Sequence, residues 1–411
     1  MRALFYSHDS YGLGHIRRTL VLAERLLGDN PRASGLVLTG APRASWLTYP
    51  ARCDFVKLPS VTKDEDGRYV PLEPGERLEE TIGLRQRLIE GAATFFAPDV
   101  LFADHVAAGL CGELLPLLER MQRTAPSTLR VLGMRDVIDE PQKVRRAFRA
   151  SGTLDVIRRH YDRVLVYGTP EIFDPVREYS LPADVAEKLV FAGYLPRNGA
   201  RTAPEAIRAR YAPRTGRLVA VTAGGGGDGL PLMRAALRGY RALGPGAPFE
   251  LLLVTGPLLS PRKRRRLQAR AAGIEGLTVV EHERDLPAVY RAAEFVIGMA
   301  GYNAVCEMAC AGVRALLVPR VFPRREQAIR AGRLAARGVV RVLDPAEATP
   351  ERLMHEVLAG LDAPAPPRGW GLPFTALEVV SAQIGHDLAQ RRPATPLVAR
   401  HRRTGRPEAR P

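Results

Sequence analysis

Three glycine-rich loops gather the residues of this chain whose types and spacing can do chemistry. The first reads Ser7-His8-Asp9-Ser10-Tyr11-Gly12-Leu13-Gly14-His15-Ile16-Arg17-Arg18. Glycines let backbone N–H groups reach a ligand where a helix begins, and the helix dipole favours an anion there. His15, directly after Gly12 and Gly14, is placed to act as a general base or to hold a substrate hydroxyl. A histidine capping its own turn is the plainer alternative. The loop lacks the third glycine of a GxGxxG fingerprint, which argues against a nicotinamide cofactor.

The second loop, Thr222-Ala223-Gly224-Gly225-Gly226-Gly227-Asp228-Gly229, has four consecutive glycines. Such a run is costly in chain entropy, and close backbone approach to phosphate oxygens would justify it. No Gly-Lys-Ser/Thr follows, so it is not a Walker A loop. The third loop is Gly298-Met299-Ala300-Gly301-Tyr302-Asn303-Ala304-Val305-Cys306-Glu307. A helix starting near Asn303 carries Glu307 on the same face. That carboxylate can accept both hydroxyls of a ribose, while N–H groups around Gly301 and Tyr302 face a diphosphate. Gln327, after the next strand and loop, points into the same cleft.

Weaker candidates surround these. Asp104, in Phe102-Ala103-Asp104-His105, ends a strand and is the second choice of base or the orienter of His15. Arg135 and Asp136 end the next strand; with Gly12, Gly14 and Arg18 they would line the acceptor side. Asp64-Glu65-Asp66 has a metal-site spacing, but Asp66-Gly67 between Lys63 and Arg68 reads better as a turn, and no metal site is expected. His160, His355, His386 and His401 are expected at solvated surface positions. Cys53, Cys111, Cys306 and Cys310 form no CxxC pair and are expected to be buried reduced thiols.

Elements must hold those loops in place. Continuously apolar runs predict strands at 2–6, 35–39, 54–58, 99–103, 129–134, 163–167 and 189–193. A second set is predicted at 218–222, 250–255, 277–281, 295–298, 315–319 and 339–343. Helical stripes lie between many of them, such as Ile16, Leu20, Ala23, Leu27 and Leu230, Met233, Leu237, Tyr240. Strand–helix alternation that restarts once predicts two α/β domains, each a Rossmann-like doubly wound parallel sheet, facing across a cleft. The expected division is a first domain over 1–195, a Pro/Arg/Ala-rich linker over 196–217 and a second domain over 218–390 that includes a final helix. The Arg/Pro-rich tail, 391–411, is expected to be disordered.

Composition sets the outer bounds. The chain has 411 residues, 46% hydrophobic and 25% charged, enough for two sizeable cores. No apolar run is long enough to span a bilayer, and no secretory signal is expected. The net charge of +16 comes from 60 basic residues, of which only Lys57, Lys63, Lys143, Lys188 and Lys263 are lysines. The arginines are scattered among acids, so attraction to anionic lipid or a diphosphate is a better reading than nucleic-acid binding. The stretch 84–96 is amphipathic; an ordinary core helix is preferred there over a membrane-facing patch.

From about residue 281 to 344 the chain resembles the C-terminal domain of MurG-type glycosyltransferases, the family 28 enzymes of the GT-B fold. It resembles most the uncharacterised bacterial relatives that carry Gly-Tyr-Asn-x-Val-Cys-Glu and Pro-Arg-Arg-Glu-Gln. The stretch His-Glu-Arg-Asp-Leu-Pro-Ala-Val-Tyr-Arg-Ala-Ala-Glu (282–294) is also similar. The resemblance implies that Glu307 binds ribose, Gln327 the donor sugar, the loop 224–229 the diphosphate, and His282 or Glu283 the base, with Arg197 near the donor. The chain departs from that pattern at Ala300, usually a serine, at Arg330, where an asparagine is common, and at the polar pair His282-Glu283. These departures argue against N-acetylglucosamine as the sugar and against lipid II synthesis. The loop Gly12-x-Gly14-His15-x-x-Arg18 also resembles UDP-sugar hydrolases of pseudaminic acid synthesis.

The expectation is therefore an inverting glycosyltransferase with a UDP-sugar donor, no obligatory metal or other cofactor, and a lipid, glycan or small-molecule acceptor. Its expected place is the cytoplasm, with peripheral contact at the inner face of the membrane. The alternatives are a nucleotide-sugar hydrolase and a non-catalytic sugar-nucleotide binding subunit. A non-hydrolysing epimerase shares the fold but needs further acid/base carboxylates.

Overall fold

A computed structural model describes residues 1–8, 14–64, 68–73, 75–196, 199–225 and 227–391. The first seven-stranded sheet is built from β1 (Arg2–Ser7), β2 (Ser34–Thr39), β3 (Cys53–Lys57), β6 (Val100–Asp104), β7 (Leu129–Arg135), β8 (Arg163–Tyr167) and β9 (Leu189–Phe191). Its order is β3-β2-β1-β6-β7-β8-β9, parallel throughout. A small antiparallel hairpin, β4 (Val61–Lys63) and β5 (Tyr69–Pro71), interrupts the alternation and was not foreseen. The second sheet contains β10 (Leu218–Thr222), β11 (Glu250–Val254), β12 (Leu277–Val280), β13 (Phe295–Gly298), β14 (Arg314–Leu317) and β15 (Arg341–Val342). Its order is β12-β11-β10-β13-β14-β15, again parallel.

Both sheets therefore reverse winding direction beside their first strand. The openings between β1 and β6, and between β10 and β13, are where ligands of doubly wound sheets bind. The central strands are buried on both faces, so they read as unbroken apolar runs: Leu218, Val219, Ala220 and Val221 are each fully buried. The amphipathic helices Gly14–Gly28 and Leu230–Leu243 bury the stripes seen in the sequence.

Two parts of the expected domain division change. The stretch 196–217 is not merely polar linker: helix Pro204–Tyr211 lies within it, bound to the second domain through Arg208 Nη1 to the Ala292 carbonyl at 3.2 Å. The final helix, Ala376–Arg391, crosses back onto the first domain. Arg163 holds Asp387 there at 3.0 Å, and Ser381 donates to Asp29 at 2.6 Å. Ion-pair and hydrogen-bond partners far apart in sequence decide that return, and no periodicity signals it.

None of the four cysteines is in a disulfide; only Cys306 is buried, and Cys111 is exposed. His160 is buried, not solvated. No helix among the described residues is long and apolar enough to cross a membrane. Helix Leu78–Phe96 buries Ile82, Ile89 and Ala93 while leaving Leu84, Leu88 and Phe95 exposed, so it is only half a core helix.

Candidate active site

At the first opening, the residue after Gly14 and the last residue of β6 meet. His15 Nδ1 lies 2.5 Å from Asp104 Oδ2. Arg18, one helical turn beyond His15, clamps the same carboxylate: Nε and Nη2 reach Oδ1 at 2.9 and 2.7 Å, and Nη2 reaches Oδ2 at 2.8 Å. Asp104 is almost completely buried, which by itself would raise its pKa; Arg18 and His15 outweigh burial and bring it to about 2. The carboxylate thus stays ionised and accepts from Nδ1–H; Arg18 Nη2, 3.0 Å from the same nitrogen, can only donate and directs its hydrogens to the Asp104 oxygens instead. That tautomer leaves Nε2 of His15 as the basic nitrogen.

Two more histidines complete the cluster. The His8 ring stands edge-on to His15 at 5.8 Å, and the His105 ring lies 5.4 Å away. Burial, then the neighbouring His15, lowers His8 to about 3, and burial with Arg135 and His15 lowers His105 well below the ordinary histidine value. Both rings are therefore neutral near pH 7 and add no charge beside the base. His105 adopts φ 69°, an uncommon conformation for a non-glycine residue that re-aims the chain at the end of β6. Sequence reading passed over His8 and treated His105 only as part of a pair. Their shared clue was position, each just past a strand end at the switch point.

The second opening is built mainly from backbone. Gly224 sits at φ 58°, and a Cβ on Gly256 would come within 2.5 Å of the Gly224 carbonyl oxygen. Leu258 N–H donates to the Gly225 carbonyl at 2.8 Å, fixing the turn. Gly227 is exposed beside it. The following loop caps helix Tyr302–Ala311 with Gly301. Asn303 and Glu307 are both half-buried, one turn apart on that helix. Across the cleft, a Cβ on Gly14 would lie 3.3 Å from Asn303 Nδ2, so the two domains' loops meet at this point. Gln327 is buried, its Oε1 accepting from Arg320 N at 3.1 Å. Arg320 also holds Asp228 and Glu326, at 3.0 and 2.6 Å.

Several expected site residues take other places. Asp136 does not line an acceptor surface. It is fully buried, with Oδ2 and Oδ1 held by Arg330 Nε and Nη2 of the second domain at 3.0 and 2.6 Å. Arg330 Nη1 donates to the Ala300 carbonyl at 2.9 Å, so one guanidinium joins the donor-side turn to the first sheet. Tyr302 is equally occupied. Its ring stacks on Tyr194 at 6.0 Å under Arg330, and its hydroxyl accepts from Leu195 N at 3.4 Å. Glu283 accepts from Tyr211 and from Arg210, tying its loop to helix Pro204–Tyr211, while His282 is exposed. Arg135 remains at the first opening, 3.1 Å from His105 Nε2. Gly12, Arg197 and Gly226 lie outside the described residues, as do Glu65, Asp66, Gly67, His401 and all but the first residue of the Arg/Pro-rich tail. Among the described residues no group of three His, Cys, Asp or Glu converges as metal ligands.

Comparison with known proteins agrees with this architecture. Residues 219–366 match the glycosyltransferase family 28 C-terminal domain. Over 133 residues the chain is 29% identical to the UDP-N-acetylglucosamine–N-acetylmuramyl-(pentapeptide) pyrophosphoryl-undecaprenol N-acetylglucosamine transferase of Corynebacterium efficiens. That stretch is 32% of this chain and 34% of the relative, so the match spans about a third of its length. Among solved structures, MurG of Acinetobacter baumannii superposes with a TM-score of 0.60 at 15% identity, covering 94% of this chain and 99% of that one. A chain assigned as UDP-N-acetylglucosamine 2-epimerase from Listeria monocytogenes superposes at 0.64 with 13% identity, covering 95% and 97%. Likeness at such identities establishes the GT-B fold; transferases and an epimerase share it, so chemistry must be argued from the site.

Proposed function

We propose that this chain, whose second domain is of the glycosyltransferase family 28 C-terminal type, is an inverting glycosyltransferase using a nucleotide-diphosphate sugar, UDP-linked, and a hydroxyl acceptor. The observation that carries the reading is the His15–Asp104–Arg18 arrangement, 2.5 Å at its central contact, set directly opposite Asn303 of the donor-side helix. The acceptor oxygen attacks the anomeric carbon from the first-domain side. Its proton passes to His15 Nε2, the bond from the anomeric carbon to the diphosphate oxygen breaks, and UDP leaves. Arg18 keeps Asp104 ionised, so Asp104 orients the imidazole and stabilises its protonated form without taking the proton itself.

Negative charge grows on the departing diphosphate. Backbone N–H groups of the Gly224–Gly225–Gly227 turn and the N-terminus of helix Tyr302–Ala311 are the groups that meet it, with no obligatory metal. Glu307 accepts the ribose hydroxyls, and Gln327 contacts the donor sugar. Peripheral membrane contact is supported by the exposed Leu84, Leu88 and Phe95 on helix Leu78–Phe96.

The test is UDP release from a panel of UDP-sugars, with and without a bacterial lipid and glycan extract. Slow release alone and strong stimulation by the extract is the expected result. Full acceptor-free turnover yielding free sugar would assign the same imidazole to water and make the protein a nucleotide-sugar hydrolase. UDP binding with no release under any condition would leave a sugar-nucleotide binding subunit.

A further inference from the structure

The glycine turn that follows β10 carries a carboxylate. Asp228 stands just before Gly229, and Gly229 lies so close to Ala223 that a Cβ there would collide with the Ala223 side chain. The turn is thus pinched shut at its base, which fixes the place of Asp228, whose side chain is 53% exposed. A carboxylate there repels any anion that approaches the backbone N–H groups of the same turn. A turn that receives a diphosphate can keep it only where a cation cancels it.

Arg320 is that cation. It lies on the loop after β14, 92 positions from Asp228, and its Nη1 donates to Asp228 Oδ2 at 3.0 Å. Its Nη2 donates at 2.6 Å to Oε1 of Glu326, the first residue of helix Glu326–Ala335. A planar guanidinium can bridge two carboxylates in different directions, which the point charge of an ammonium does poorly. The backbone N–H of the same residue donates to Gln327 Oε1 at 3.1 Å. With Oε1 engaged, Nε2 is the amide atom left for a ligand, and it can only donate. One residue therefore ties together the turn, the start of that helix and the Gln327 amide. Asp228 and Glu326 set two negative charges against its one positive charge, so its removal strands both.

We propose that Arg320 is a positioning residue of the donor site: it cancels Asp228 so that the glycine turn can take a diphosphate, and it braces that turn against Gln327. The proposal rests on the nucleotide-diphosphate reading for its ligand, and on the ion-pair bridge for the role of Arg320.

The test compares UDP with uridine, which has the same base and ribose but no phosphate, on the full chain. Calorimetry reads UDP, and ligand-observed NMR reads uridine. Arg320→Met should weaken UDP by about three- to tenfold, the scale of one uncancelled charge near a partly exposed anion, and leave uridine unchanged. Adding Asp228→Asn should restore most of the UDP affinity. Arg320→Lys keeps the charge and loses the fork, so it should fall between Arg320→Met and the wild type. A purely structural role would lower the melting temperature and weaken both ligands together, with no rescue by Asp228→Asn. The proposal is overturned if Arg320→Met binds UDP as the wild type does, if uridine falls by the same factor, or if the second substitution restores nothing. If Arg320→Met does not fold, Asp228→Asn alone carries the test, because that side chain is half-exposed. It frees the Arg320 charge at the turn and should tighten UDP by about twofold or more without changing uridine. Unchanged or weaker UDP binding there overturns the charge balance. A wild type that binds UDP no better than uridine would count against the donor reading itself, whereas failure in the variants alone would leave that reading standing.

Discussion

The two sheets wind alike but equip their openings differently. At the first, side chains do the work: His15, Asp104 and Arg18 form a short, buried, charge-matched set flanked by two neutral histidines. At the second, the backbone does it, with a turn at Gly224 and Gly225 packed so closely on Gly256 that a Cβ on Gly256 would collide with it. On the proposed transferase reading, the difference follows from what each side would handle. Moving a proton needs a titratable group of fixed tautomer. Holding a diphosphate needs many donors at close range, which backbone N–H groups supply without side-chain entropy. On that reading one topology would serve two chemistries, because function lies in the loops at the strand ends.

The sharpest way to break that comparison is His15→Ala. If the first opening handles the proton alone, turnover should fall by roughly 10²–10⁴-fold, the usual size of a general-base contribution. UDP affinity should stay within about twofold, because Glu307 and the glycine turn lie on the other side; that margin is small beside a tenfold step of 1.4 kcal/mol. Parallel steady-state kinetics and UDP titration calorimetry separate the two effects. Undiminished turnover would move the base to Asp104.

The next test concerns what joins the halves. Arg330 is fully buried between Asp136 and the Ala300 carbonyl, and burial is outweighed by Asp136, so its charge persists. Arg330→Met should leave Asp136 buried without its cation and destabilise the protein by about 3–5 kcal/mol, read as a lower unfolding midpoint. Adding Asp136→Leu should restore much of the loss, since replacing both partners removes the stranded charge. If the single variant melts like the wild type, the openings are not coupled through this pair.

The smallest expected effect sharpens the donor side. UDP should stabilise the protein more than dTDP, which lacks the 2′-hydroxyl. Glu307→Ala should remove most of that preference, about 1.5–3 kcal/mol for a charge-assisted contact. Equal thermal shifts for the two nucleotides in the wild type would reject the ribose role of Glu307 and leave the fold untouched.

Much of the architecture was legible in the sequence for a simple reason. Strands buried on both faces must be apolar throughout, which made the central ones legible, among them Arg163–Tyr167, Leu218–Thr222 and Phe295–Gly298 with unchanged ends; all thirteen expected strands appear, although edge strands such as Arg341–Val342 are exposed. The glycine loops were legible because close backbone approach leaves few residue choices. The short hairpin Val61–Lys63 with Tyr69–Pro71 was not, since three-residue strands carry too little periodicity to register.

By itself, then, the sequence determined the strands of two parallel sheets and the glycine loops at their ends, because local periodicity and chain stereochemistry act over a few residues. Only the tertiary structure decided which of those loop residues face one another. It put Arg18 on Asp104, 86 positions away, and turned Asp136 from a cleft residue into the partner of Arg330, 194 positions away. It also stacked Tyr302 on Tyr194 and sent the last helix back to the first sheet. A buried charge must find its counter-ion wherever the folded chain brings one, and that demand leaves no mark on residue spacing.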